Sequence, residues 1–135
     1  MTSDGTPDSL LLPPAVRSFL DAVNARDAEA AGASFTDDAR YHWAVPGTPA
    51  HGRQAIVATL SRLLGTTSKV RWDVVAAARD DNRVWLERVD NFWFGDRLAH
   101  IECNGIFELA PDGLIAEVRD YCDMSVWRER SSPAP

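Results

Sequence analysis

From residue 68 to residue 126 this chain alternates apolar and polar side chains with a period of two, and few folds accept such a pattern. Four segments carry it: Ser68 to Ala78, Arg83 to Phe94, Arg97 to Leu109 and Leu114 to Val126. Between them stand Asp80-Asp81-Asn82, Gly95-Asp96 and Pro111-Asp112-Gly113. Gly-Asp and Asp-Gly pairs suit tight hairpin turns, because those residues tolerate the turn backbone. Long consecutive strands joined by tight turns predict an antiparallel meander.

Ahead of Gly65 the period is helical. Pro13 and Pro14 suit a first turn, and Val16, Phe19, Leu20 and Val23 follow at helical spacing. Asp27 reads as the N-cap of a second short helix running through Phe35. Asp37-Asp38 reads as a turn and Arg40 to Val45 as a short strand. Pro46-Gly47-Thr48-Pro49 predicts a loop, and Gly52 to Leu64 a third helix. Helices first and a curved sheet afterwards predict an α+β fold, with the helices packed on one face of the sheet. Residues 1–12 read as a flexible N-terminal tail in which Leu10 to Leu12 can dock. A single domain then spans residues 13–128, and 129–135 read as a C-terminal tail.

The length, 135 residues, suits one domain with a real core. The net charge of −6 repels a phosphate backbone and argues against nucleic-acid binding. No stretch approaches the ~20 apolar residues of a membrane helix, and no secretory leader opens the chain, so the expectation is a cytoplasmic protein with no membrane partner. Cys103 and Cys122 lack the spacing of a zinc site and read as reduced, half-buried thiols.

The chemistry shows in the charges that break the alternation. On the second long strand Val84, Leu86, Arg88, Asp90, Phe92 and Phe94 share one face. Arg88 and Asp90 are therefore neighbours flanked by apolar groups. On the last strand Asp120 is the only charge on a face that holds Leu114, Ala116, Val118, Cys122, Met124 and Val126. A lone charge there is costly unless paired, so the three predict an Asp–Arg–Asp array in a shared pocket. Arg88 would hydrogen-bond both carboxylates. In a low-dielectric pocket one acid would keep its proton while the other stays ionised, which supplies a general acid and a general base together. The bland alternative is a buried salt bridge that fixes strand register.

On the third long strand Ala99, Ile101, Cys103, Phe107 and Leu109 read as pocket or core lining. His100 falls on the opposite face, and His42 and His51 near the Pro/Gly loop read as surface residues. No three ligands cluster for a metal, and no cofactor is called for.

The segments Glu87-Arg88-Val89-Asp90 and Arg119-Asp120-Tyr121-Cys122-Asp123 resemble the limonene-1,2-epoxide hydrolase family, a branch of the NTF2-like and SnoaL-like superfamily. The hairpin between them with Gly105-Ile106-Phe107, and Gly52-Arg53 opening the third helix, are also similar. The resemblance covers roughly residues 15 to 127. It implies a cone-shaped NTF2-like fold, with N-terminal helices on the concave side of a curved, mostly antiparallel sheet. It further implies Asp120 as the base that deprotonates water, Asp90 as the acid that protonates the epoxide oxygen, and Arg88 as their bridge. Tyr41 matches a tyrosine that holds the water. The resemblance implies an epoxide as substrate, and the aromatic residues Tyr41, Trp43, Trp72, Phe92, Phe94 and Phe107 suggest an apolar, bulky ligand such as a terpenoid or polyketide, in a pocket expected to be lined by Trp43, Trp72, Leu86, Phe92, Ile101, Cys103, Phe107, Val118 and Cys122.

One position departs from the family. Trp43 stands where the family holds the water with an asparagine. An asparagine amide both donates and accepts, whereas an indole only donates one N–H and fills space. Water attack and attack by a hydroxyl of the substrate itself, closing a cyclic ether, therefore both remain open. A ketosteroid isomerase would carry a base on the first strand near Trp43, where no acid stands. A non-catalytic binding module is the other alternative. Trp85 and Trp93, on the face opposite Arg88 and Asp90, suggest a homodimer through the sheet.

Overall fold

A computed structural model describes residues 12–133. Residues 1–11 of the expected N-terminal tail lie outside the described residues; Leu12 packs half-buried against the core.

Helix α1 (Pro14–Asn24) starts on Pro14 in its first turn and buries Val16, Phe19, Leu20 and Val23. Helix α2 (Ala28–Gly32) is capped by Asp27, whose carboxylate accepts from Ala30 N at 3.0 Å. It ends three residues before Phe35, which begins strand β1 (Phe35–His42). The expected helix through Phe35, the turn at Asp37-Asp38 and the strand through Val45 are corrected here. Thr36 to Asp38 stay extended because they fall at an irregularity in the pairing of β1, where Asp37 and Asp38 face solvent at no desolvation cost. Strand β2 (Ala50–His51) pairs with β1 and was not foreseen. Gly52, at φ +95°, turns the chain into helix α3 (Arg53–Gly65), a backbone angle that favours glycine.

Strands β3 (Lys69–Asp80), β4 (Arg83–Phe94), β5 (Arg97–Leu109) and β6 (Ile115–Tyr121) form the antiparallel meander. The six-stranded sheet has the order β2-β1-β6-β5-β4-β3, with β1 parallel to β6. Within the meander two register shifts break the strict alternation. Val75 is the extra residue of β3 and is 54% exposed. On β6 the register shifts between Glu108↔Glu117 and Leu109↔Ile115, which turns Ile115 into the core and leaves Ala116 half-buried.

Beyond Tyr121 the chain is not strand. Asp123 caps helix α4 (Met124–Ser131), accepting from Ser125 N and Val126 N. This replaces both the expected strand to Val126 and the expected tail from residue 129. Arg97 donates to the Arg130 and Ser131 carbonyls, and Arg130 pairs with Glu102 at 2.7 Å, so α4 is fastened to β5.

One layer of helices covers one face of the curved sheet, with α1 on β3 and α3 on β1. Phe19 is the hub of the core: its ring meets Phe35, Tyr41, Trp72 and Phe107 with centroids 5.3–6.0 Å apart. The layer leaves an opening between α3, α4 and the inner face of β4–β6, and the charged residues point there.

Candidate active site

Arg88 and Asp90 follow each other on the inner face of β4, and Asp120 sits two strands away on β6. Two inter-strand steps amount to about 10 Å. Arg88 crosses that distance over β5. Its Nε and Nη2 donate to Asp90 Oδ1 and Oδ2, each at 2.9 Å. Its Nη1 and Nη2 donate to Asp120 Oδ1 and Oδ2, each at 3.2 Å. Arg88, Asp90 and Asp120 are 1%, 4% and 3% exposed. One guanidinium thus holds two carboxylates in a dry setting, each through paired bonds that fix its orientation.

The crossing is possible because of Gly105, the β5 residue paired with Leu86 on one side and Asp120 on the other. A Cβ there would lie 2.6 Å from Arg88 Nη1 and 2.7 Å from Asp120 Oδ1. Sequence reasoning placed Gly105 in the family resemblance but gave it no role. Glycine inside a long strand was the available signal for a close approach.

Two further groups complete the array. Tyr41 on β1 is fully buried, and its hydroxyl donates to Asp120 Oδ2 at 2.8 Å. Trp72 on β3 lies under the guanidinium, with Arg88 Cζ 4.6 Å from its ring centroid.

The surroundings set the protonation states. Burial pushes the Asp90 carboxyl up; Arg88 opposes this and the charge on Asp120 reinforces it. Burial also works against the charge on Arg88, but Asp120 and Asp90 outweigh it and hold the guanidinium firmly protonated. Burial and then Asp120 hold the Tyr41 phenol well above its usual range, so it remains a donor. Burial thus makes the Asp90 carboxyl easier to protonate than an exposed aspartate, while Asp120 accepts from a phenol, an arrangement suited to giving and taking protons on opposite sides of one reaction.

The carboxylates open onto a cavity of about 290 Å³. Of the expected pocket residues, Trp43, Trp72, Phe92, Ile101, Cys103 and Cys122 lie on its wall with Asp90 and Asp120. Leu86, Phe107 and Val118 do not: they are buried in the core beneath the array. Four wall residues were missed. Thr59 and Leu63 come from α3, and Met124 and Trp127 from α4. Trp127 packs on Phe92 with centroids 5.0 Å apart and closes one side of the cavity.

Trp43 stacks flat on Tyr41, with centroids 3.5 Å apart and planes 16° from parallel. Its indole fills the wall beside the phenol that meets Asp120. The histidines stay outside the site: His51 is exposed, and His42 is half-buried against Glu117 at 3.0 Å rather than bare surface. Among the described residues no three His, Cys, Asp or Glu side chains cluster as metal ligands.

The description of SnoaL-like domains matches residues 16–118, most of the chain. Among solved structures, a Mycobacterium tuberculosis epoxide hydrolase of the limonene-1,2-epoxide hydrolase-like type is similar over 87% of this chain and 86% of its own, with 26% identity and a TM-score of 0.74. A protein of Catenulispora acidiphila with a ketosteroid isomerase-like fold, solved with trimethylamine, is 20% identical over 90% of this chain and 94% of its own, with a TM-score of 0.78. A protein of Xanthomonas campestris pv. campestris assigned as a polyketide cyclase is 20% identical over 87% of this chain and 94% of its own, with a TM-score of 0.72. The chain belongs to the SnoaL-like family and has the NTF2-like, ketosteroid isomerase-like fold.

Proposed function

We propose that this SnoaL-like protein opens the epoxide of a small apolar substrate by one-step general acid–base catalysis. The observation that carries the proposal is the pair of carboxylates held by one buried guanidinium at the wall of an apolar cavity. The likeness to the M. tuberculosis epoxide hydrolase supports the same reading.

In the proposed step Asp120 takes a proton from a water as its oxygen attacks an epoxide carbon. The carbon–oxygen bond of the ring breaks, and the departing oxygen takes the proton of Asp90. The product is a diol. Asp120 is left protonated and Asp90 ionised, and the next turnover needs the proton returned. Arg88 orients both acids, and Tyr41 steadies Asp120 by donating to Oδ2. The volume of about 290 Å³ lies at the low end for small-molecule sites and favours a substrate of modest size, terpenoid-like rather than a full polyketide chain.

Asp90→Asn and Asp120→Asn test the reading. Each is expected to leave the fold intact and to lower turnover of a cyclic epoxide by about 10²–10⁴-fold. If the array is only structural, either change instead costs about 3 kcal/mol of stability, because a buried partner is left uncompensated. Intact folding with full turnover would remove the catalytic roles altogether.

A second reading has its own support. The Trp43 indole stacks on Tyr41 at the position where the resemblance expects a water-holding amide, and an indole has no acceptor for that water. A hydroxyl of the substrate then attacks in place of water and closes a cyclic ether, with Asp120 and Asp90 in the same roles. Turnover in oxygen-18 water separates the two: labelled diol supports hydrolysis, and unlabelled ether from a hydroxy-epoxide supports cyclisation. Trp43→Asn should raise diol formation under the cyclase reading. An isomerase reading has less support, since Asp37 and Asp38 of β1 face solvent.

A further inference from the structure

The guanidinium of Arg88 has a further neighbour that the acid–base scheme leaves without a role. Cys103 stands directly opposite Arg88 in the pairing of β4 with β5. It is 2% exposed and shares the cavity wall with both carboxylates. Arg88 Nη2 donates to its Sγ at 3.2 Å.

A guanidinium carries one hydrogen on Nε and two on each Nη. Nε serves Asp90 Oδ1, and Nη1 serves Asp120 Oδ1. Nη2 has three acceptors for its two hydrogens: Asp90 Oδ2 at 2.9 Å, Asp120 Oδ2 at 3.2 Å and Cys103 Sγ at 3.2 Å. Asp90 is the nearest and takes one. Asp120 and Cys103 share the other in a three-centre bond. Sulfur is larger than oxygen, so equal distances make the contact to Cys103 the tighter one. Cys122 and then burial hold the Cys103 thiol well above its usual range, so the sulfur meets the guanidinium as a neutral, weak acceptor.

We propose that Cys103 is a positioning residue of the array: its sulfur competes with Asp120 for one Nη2 hydrogen and takes that hydrogen over when Asp120 is protonated. This deepens the acid–base reading above and rests on it. As Asp120 takes the proton of water it loses its charge, and its oxygens become poorer acceptors. The shared hydrogen then turns to Cys103 Sγ, and the guanidinium stays over Gly105 instead of following the newly ionised Asp90. No bond to sulfur forms or breaks. Before the reaction the same competition leaves the ionised Asp120 less stabilised, and so a better base. The titratable groups around this hydrogen are Asp90 on β4, Asp120 on β6, Tyr41 on β1 and Cys122 just past β6, with Asp73 of β3 acting on Asp90. Helices α3 and α4 bring no titratable side chain to the wall.

The test follows the Asp120 carboxyl of the full chain by carbon-13 NMR across pH, beside steady-state turnover of a cyclic epoxide, in Cys103→Ala and Cys103→Ser. Each variant removes or exchanges a single buried atom. Cys103→Ala gives the shared hydrogen wholly to Asp120. That carboxyl should then keep its charge to about half a pH unit lower, and kcat should fall about 3-fold with KM little changed, the size of one modest hydrogen bond. The acidic limb of kcat/KM should move to lower pH with it. Cys103→Ser offers Nη2 a hydroxyl oxygen and should restore both the titration and kcat. A packing role alone predicts similar losses of melting temperature in the two variants and one Asp120 titration shared by all three proteins. That result overturns the proposal, as does a Cys103→Ser protein that titrates like Cys103→Ala. The carboxyl titration decides the role of Cys103 whether or not the protein turns over an epoxide, so failure of the function proposed above is read separately.

Discussion

The guanidinium of Arg88 passes over Gly105 with no room for a side chain: a Cβ on Gly105 would lie 2.6 Å from Arg88 Nη1. It would also lie 2.7 Å from Asp120 Oδ1, so it would wedge apart the two groups that meet there. Neither can retreat easily, because Arg88 is tied to Asp90 and stacked on Trp72, and Asp120 is tied to Tyr41.

Gly105→Ala is therefore expected to cost about 1–3 kcal/mol, the usual range for overpacking a closed site. Turnover should fall further than stability, by about 100-fold, because a misplacement near 1 Å is enough to lose orientation. Chemical denaturation and steady-state kinetics on the same preparation check both. Wild-type turnover in a folded Gly105→Ala protein would mean that the Arg88–Asp120 bond is dispensable.

The raised Asp90 carboxyl carries a pH signature. As the proton donor, Asp90 must be protonated, so kcat/KM should fall as pH rises through its elevated value. Stability follows the same sign. The folded protein holds this proton more tightly than the unfolded chain, so Asp90 contributes fully below the unfolded value of about 3.9 and its contribution is lost as pH rises through the folded value. Measured against Asp90→Asn, the unmodified protein should lose relative stability with rising pH across that window. A difference that grows with rising pH would place Asp90 as a permanently ionised partner of Arg88.

The limits of sequence reading are physical and local. Strands β4 and β5 were legible to the residue, because both faces alternate without a bulge and turn residues bound each end. The array was legible because Arg88, Asp90 and Asp120 are charges on otherwise apolar faces. Helix α4 was not. Cys122, Met124 and Val126 continue the period of two by chance, while Met124 and Trp127 also stand at helical spacing. The deciding signal was Asp123, whose short carboxylate caps the helix. The core positions of Leu86, Phe107 and Val118 were hidden for another reason. Alternation assigns a residue to the inner face but not to the cavity or the packed core beneath it, and the helices that divide the two come from elsewhere in the chain.

Helix α4 brings its own prediction. Trp127 covers Phe92 and Phe94 and forms part of the cavity wall, while no residue of the helix is fully buried. Removing the indole widens the cavity and uncovers Phe92 and Phe94, but takes away no fully buried residue. Trp127→Ala should raise KM for an apolar epoxide by about 10-fold, with a smaller change in kcat, as expected when uniform binding is lost. A change confined to kcat would instead tie α4 to the alignment of the carboxylates.

The outer face of the sheet supports a last prediction, the dimer. Trp93 is covered by the cations of Lys69 and Arg71, 4.8 and 5.7 Å from its ring. Trp85 is paired with Ile106 across β4 and β5, and with Ala78 and Tyr121 it lines a shallow apolar depression in that face. Tyr121 is 45% exposed there. A patch crossing four strands is best covered by a second copy, since an apolar surface of this kind is otherwise open to water. The predicted contact centres on the depression around Trp85 and Ile106, where Arg83 stands 5.9 Å over the Trp85 ring. Light scattering at micromolar concentration should give a dimer, and Ile106→Glu should give a monomer with an unchanged circular-dichroism spectrum. A monomeric unmodified protein, or a dimer that survives Ile106→Glu, would count against this face.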